Sequence, residues 1–194
     1  MGKTRLEAFS DGVIAIIITI MVLELKVPHG DELSSLLPLI PVFLSYVLSF
    51  VYVGIYWNNH HHLLHACGMV DGAMLWANLH LLFWLSLVPF TTGWMGENHF
   101  AAAPVALYGF NLLMAAVAYA MLQHQVVGTQ AADSPVRRAL ARDWKGKASP
   151  VLYAVGMVVA FWSEWVTMAM YVFGTIMWLI PDRRISRALV HGTD

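Results

Sequence analysis

Three stretches of this chain, 36–57, 72–94 and 100–122, run for more than twenty residues without a single Asp, Glu, Lys or Arg. An uncharged apolar run of about 18 residues or more is the signature of a helix that crosses a bilayer. In hydrocarbon every backbone N–H and C=O must be paired inside its own segment, so such runs can only be helices or closed barrels. No alternation of polar and apolar residues marks these runs as barrel strands. The fold class that follows is all-α and polytopic. Composition agrees: 59% of the 194 residues are hydrophobic, 12% are charged, and the mean hydropathy is +0.63. The net charge of −1 gives no bulk field towards nucleic acid. A single cysteine, Cys67, excludes an intrachain disulfide.

Two further regions complete the count. Residues 6–25 make a twenty-residue helix of about 30 Å, the thickness of the hydrocarbon core. Lys3 and Arg5 before it resemble a signal-peptide n-region, but Glu7 and Asp11 interrupt the pattern and no small-residue cleavage site follows. Residues 149–180 carry one charge, Glu164. As a single helix they would measure about 48 Å, too long for one crossing. Basic residues collect on the cytoplasmic side of membrane proteins. Lys3, Arg5, Arg137, Arg138, Arg142, Lys145, Lys147, Arg183, Arg184 and Arg187 fall on one side only if residues 149–180 form a hairpin turning near Ser163 and Glu164. Lys26 is then the one exception. The reading is therefore one unit over 1–194 with six spans, at 6–25, 36–57, 72–94, 100–122, 149–163 and 165–180. Both termini are expected in the cytoplasm of a multi-pass inner (plasma) membrane protein. Residues 58–71 are expected as a His-rich cytoplasmic loop.

The first span carries the chemistry. Ile16, Thr19, Ile20 and Leu23 stand at i, i+3, i+4 and i+7, on one face of a helix. Such a stripe serves either packing on a neighbouring helix or, around a rotation axis, a ring of isoleucines that gates by dewetting, with threonine hydroxyls one turn away. Asp11 lies inside the same helix. An intramembrane carboxylate is costly and needs partners. Counting helical rise from the cytoplasmic side puts Asp11, the His60–His62 cluster and Asn78 in one layer. Asp11 is accordingly read as an anchor rather than an ion ligand. His61 and His65 have a zinc-compatible i, i+4 spacing, but neither the ligand count nor the geometry of a metal site accompanies them. Glu24 stands where it can draw cations to an outer mouth or pair with Lys26. No nucleophile elbow, phosphate loop, dinucleotide fingerprint or metalloprotease helix occurs, so no enzyme is expected.

Arg5-x-x-x-Phe9-Ser10-Asp11-Gly12, followed by an isoleucine-rich run ending Val22-Leu23-Glu24-Leu25, resembles the first-span signature of the transmembrane protein 175 family, the endolysosomal potassium channels and their bacterial homologues. Trp57-x-x-x-His61 and Trp76-x-Asn78 resemble the family's second and third spans. The resemblance implies a six-span subunit, four of which surround a fourfold axis with the first helix lining the pore. It implies potassium as the permeant ion, three identical subunits and the lipid bilayer as partners, and no cofactor, metal or nucleic acid. It places the constriction at Ile16, a selectivity role at Thr19, and further apolar rings at Ile20 and Leu23. Arg5, Phe9, Ser10 and Asp11 then hold the helix through His61, Trp76 and Asn78. The competing function is a proton-coupled secondary cation transporter. The sequence shows no inverted repeat, and the first span has no broken helix of the kind such transporters use.

Overall fold

Along its apolar runs the chain answers the demand for internally paired backbone with helices. The computed structural model describes residues 2–131, 134, 137–138 and 143–179. Helix α1 spans Lys3–Met21 and ends in one 3-10 turn, Val22–Glu24. A 3-10 segment, Leu33–Leu39, leads into α2, Ile40–His65. Then come α3, Gly72–Ser86, α4, Val88–Glu97, and α5, Ala102–Gly128. The last two helices are α6, Trp144–Val159, and α7, Glu164–Leu179. Four helical stretches among the described residues are long and apolar enough to cross a membrane: Lys3–Glu24, Leu33–His65, Gly72–Glu97 and Ala102–Gly128.

Three boundaries differ from expectation, each for a local reason. The loop expected over 58–71 shrinks to 66–71, because α2 runs on through the histidines. Its final carbonyls find partners: Lys3 Nζ donates to the His65 carbonyl at 2.7 Å, and Gln130 Nε2 donates to that of Ala66 at 2.7 Å. The third apolar run is broken at Leu87, because Pro89 has no N–H to continue the helix. Asn111 on α5 mends this break. With its amide oriented to satisfy both partners, its nitrogen donates to the Trp84 carbonyl at 3.0 Å and its oxygen accepts from the Val88 N–H at 3.3 Å. Finally, α5 continues past residue 122 to Gly128.

The last apolar region is two helices of sixteen residues joined by a turn at 160–163. Each measures about 24 Å. Asp143 caps α6, its side chain accepting from the Gly146 N–H at 2.9 Å. The end of the expected sixth span at residue 180, and the basic residues Arg142, Arg183, Arg184 and Arg187, lie outside the described residues. Tyr171 on α7 docks in a slot floored by glycines: a Cβ on Gly109 would lie 1.8 Å from its hydroxyl, and one on Gly156 2.7 Å from its ring. Close approach through small residues is the usual way membrane helices associate, since lipid tails remove the hydrophobic drive between them.

Helix α1 packs on α2, α3 and α4, while α5 packs on α3, α4, α6 and α7. This arrangement leaves α1 on one flank of the bundle with one long face uncovered.

Candidate functional site

The two faces of α1 follow from its spacing. Ser10, Ile14, Ile17 and Met21 are buried. Gly12, Ile16, Thr19 and Leu23 are exposed. Each exposed residue stands two positions after a buried one, about 200° around the helix. Ile16 is 58% exposed, Ile20 43% and Leu23 75%. The Thr19 hydroxyl lies on this open face and donates to the carbonyls of Ile16 at 2.9 Å and Ala15 at 3.1 Å. Its proton is thus turned inward to the helix, and its lone pairs remain available as an acceptor.

The buried face is fixed by a chain of three polar side chains. Ser10, Asn78 and His60 are each at most 1% exposed. The Ser10 hydroxyl donates to the Leu6 carbonyl at 2.8 Å, so it can only accept from its other neighbour. That neighbour is Asn78 Nδ2, at 2.9 Å. The amide is then oriented with Oδ1 towards His60, whose Nε2 lies 2.7 Å away and carries the proton. One carboxamide thereby ties α1 and α2 to α3. No buried side-chain nitrogen or oxygen among the described residues is left without a partner.

Asp11 stands beside this chain, half-buried, and accepts from Trp57 Nε1 on α2 at 3.0 Å. Trp57 is itself 46% exposed. The structure therefore corrects two expected partners. The imidazole in the buried chain is that of His60, where the sequence pointed to His61. Within the subunit Asp11 is held by Trp57, a residue outside the expected set of His61, Trp76 and Asn78. His61 reaches the motif at second hand, its ring tilted against Trp57 with centroids 6.3 Å apart and stacked on His65 at 6.2 Å. Trp76 is 75% exposed on α3. Among three successive histidines the helical register of α2 decides which is buried, and Ser49, Tyr52, Val53 and His60 share its inward face. That stripe, seven residues from Val53 to His60, is the signal in the sequence that would have selected His60. Arg5 and Phe9 are exposed on the outer side of α1, with Phe9 48% exposed.

At the other end of α1, Lys26 pairs with Glu97 rather than Glu24. The hydrogen bond to the Glu97 carboxylate, then its charge, raises the Lys26 pKa. Glu24 is half-buried, with its carboxylate laid against Gly93, where a Cβ would come within 2.8 Å of Oε2. No cluster of three or more His, Cys, Asp or Glu suited to a metal occurs among the described residues.

The chain is similar to known proteins in sequence and in fold. The family model described as the endosomal/lysosomal potassium channel TMEM175 matches residues 5–89. A potassium channel of Chryseobacterium sp. (strain P1-3) is 51% identical over 189 residues, covering 97% of this chain and 98% of that one. The endosomal/lysosomal proton channel TMEM175 of Gallus gallus is 40% identical over 75 residues, which cover 32% of this chain and 15% of the animal protein. The crystal structure of a lysosomal potassium-selective channel TMEM175 homolog from Chamaesiphon minutus superposes with a TM-score of 0.81 at 30% identity, covering 92% of this chain and 96% of that one.

Proposed function

The chain belongs to the TMEM175 family of potassium channels, and on that premise we propose that four copies surround a potassium-selective pore lined by α1. The uncovered stripe of α1 carries this reading. It is an apolar face with one hydroxyl, set opposite a hydrogen-bonded face that holds the helix still. An exposed row of isoleucine and leucine beside a rigid bundle has a place in a symmetric assembly, where four copies close it around an axis. Ile16 makes the narrowest ring and excludes water when closed. The Thr19 ring offers oxygen ligands one turn away. Ile20 and Leu23 form wider apolar rings towards the Lys26–Glu97 end. Potassium passes as the permeant ion, without a cofactor. Ser10, Asn78 and His60 set the radius by fixing α1 on α2 and α3, and Asp11 with Trp57 steadies its first turns. Arg5 marks the cytoplasmic end.

The protein sits in the plasma membrane with both termini inside, in keeping with the partition of basic residues. Cysteine at Glu164, in the turn side of the α6–α7 hairpin, is expected to label from outside intact cells, and cysteine at Lys3 is not.

The direct test is ion flux into liposomes containing the purified protein. A potassium gradient alone should drive uptake, and native mass measurement should give four subunits. Uptake that needs a proton or sodium gradient would instead support a coupled transporter, and a monomer or dimer would remove the pore.

A further inference from the structure

Glycine weakens the interior of a helix more than any residue except proline, so a glycine inside a membrane helix has a cause. Gly93, Gly96, Gly109, Gly156 and Gly174 have theirs within the subunit, since a Cβ on any of them would press on another segment of the bundle. Gly12, inside α1, is different. A Cβ there would meet nothing within 4 Å. Backbone conformation does not demand it either, since no glycine among the described residues has a positive φ. Gly54 on α2 is equally unencumbered, but it is half-buried and off the α1 stripe.

Gly12 is exposed on the open face of α1. Around the helix it stands within about 40° of Ile16, Thr19 and Leu23, and about 6 Å from Ile16 along the axis, on the N-terminal side. An alanine here would strengthen the helix and touch nothing in the subunit. The requirement for glycine therefore comes from outside the subunit, and on this face that is the ion path.

We propose that Gly12 keeps a water-filled chamber open against the cytoplasmic side of the Ile16 constriction, so that the cation reaches the ring hydrated. The inference rests on α1 as the pore lining. A branched side chain at this position would lengthen the dry constriction by a turn, and apolar constrictions act by excluding water. The ion would then shed its water over a longer path without oxygen ligands, because Thr19 lies beyond Ile16. With no side chain at Gly12, the helix backbone itself faces the chamber and is wetted.

The test compares Gly12→Ala, Gly12→Val and Gly12→Leu by potassium flux into liposomes, melting and size exclusion. Flux should fall in order of side-chain volume, roughly twofold for alanine and roughly tenfold for leucine, with the sodium-to-potassium ratio of the parent. All three should assemble, and Gly12→Ala should melt no lower than the parent. Undiminished flux in assembled Gly12→Leu would overturn the proposal. So would dissociation of Gly12→Ala, which would make the glycine a close contact between subunits. A full loss of flux already in Gly12→Ala would make it a hinge and overturn the proposal too. If Gly12→Leu does not assemble, Gly12→Cys in a Cys67→Ser background decides. An impermeant cationic methanethiosulfonate should cut the current from the cytoplasmic face of an excised patch and not from the outer face. Equal responses on the two faces, or none on either, would overturn the proposal. Ile16→Cys under the same reagent separates this inference from the pore reading. Block at Ile16→Cys with normal flux in Gly12→Leu removes the chamber alone, and no response at either position removes the pore with it.

Discussion

On the inner face of α1, Ser10 is bonded on both sides, and Ile14, Ile17 and Met21 are all but inaccessible. Half a turn away, Ile16 and Leu23 stand more than half exposed. The two faces use similar residues, apolar side chains with one hydroxyl each, yet one is closed within the subunit and the other is open. The difference lies in where the hydroxyl is engaged. Ser10 links α1 to another helix through Asn78, whereas Thr19 bonds only to its own helix. In a bilayer, where apolar burial between helices gains little, such cross-helix hydrogen bonds decide which face is fixed. One face therefore supports position and the other stays open, as the proposed pore lining requires.

Substitutions on the two faces should separate stability from selectivity. The largest effect is expected at Asn78. Asn78→Ala leaves Ser10 and His60 buried without their shared partner, a loss of about 1–3 kcal/mol for each orphaned group. The assembly should melt well below the parent and run as lower species in size exclusion. If Asn78→Ala melted no lower than Ile16→Ala, the inner face would not be the fixed one.

Next is Ile16→Asn, which should hydrate the constriction. Sodium permeation should rise by roughly tenfold, equal to about 1.4 kcal/mol at the barrier, with the melting temperature little changed. Sodium and potassium uptake by liposomes measures it. Thr19→Val should shift selectivity in the same sense and more weakly. It removes one oxygen ring and should lower the potassium preference two- to threefold, about 0.4–0.7 kcal/mol, the low end of the scale of one neutral hydrogen bond. Bi-ionic reversal potentials would show it.

Asp11 sharpens the comparison because it lies between the two faces. Its recorded partner is a half-exposed tryptophan, so Asp11→Asn, which still accepts a hydrogen bond, should be close to neutral in melting temperature. Asp11→Ala should cost about 1 kcal/mol. The smallest effect belongs to the Lys26–Glu97 pair, which is solvent-exposed. Because the folded Lys26 pKa is raised, whatever the pair contributes is fully present below the unfolded lysine pKa of about 10.4. It fades as pH rises through the folded value. Glu97→Gln should leave the melting temperature between pH 6 and pH 9 within error of the parent.

The helices and the open stripe were legible because hydropathy and the 3.6-residue period are properties of single helices. The hairpin near Ser163 was legible for a different reason, since its two short helices follow from length and charge placement. The partners in the buried chain depend on which face α2 turns inward. Three consecutive histidines offer three answers to the same motif, and only the inward row of Ser49, Tyr52, Val53 and His60 selects one. The break at Leu87 was not read from the sequence, although Pro89 within the apolar run is its local signal. Its repair by Asn111, some twenty residues later on another helix, has no such signal, because no local pattern pairs an amide with a distant helix end.

The account rests on the open face of α1 meeting the ion path, and a thiol placed there tests it most directly. In a Cys67→Ser background, Ile16→Cys would be studied by potassium flux before and after cadmium and a cationic methanethiosulfonate reagent. Cys67 is buried, its burial pushes the thiol pKa up, and removing it clears the background. The account predicts block by both reagents in the Ile16→Cys protein, protection from block at the neighbouring buried position in Ile17→Cys, and no effect on the background protein. Complete modification at Ile16→Cys, verified by mass, with potassium flux unchanged would contradict it.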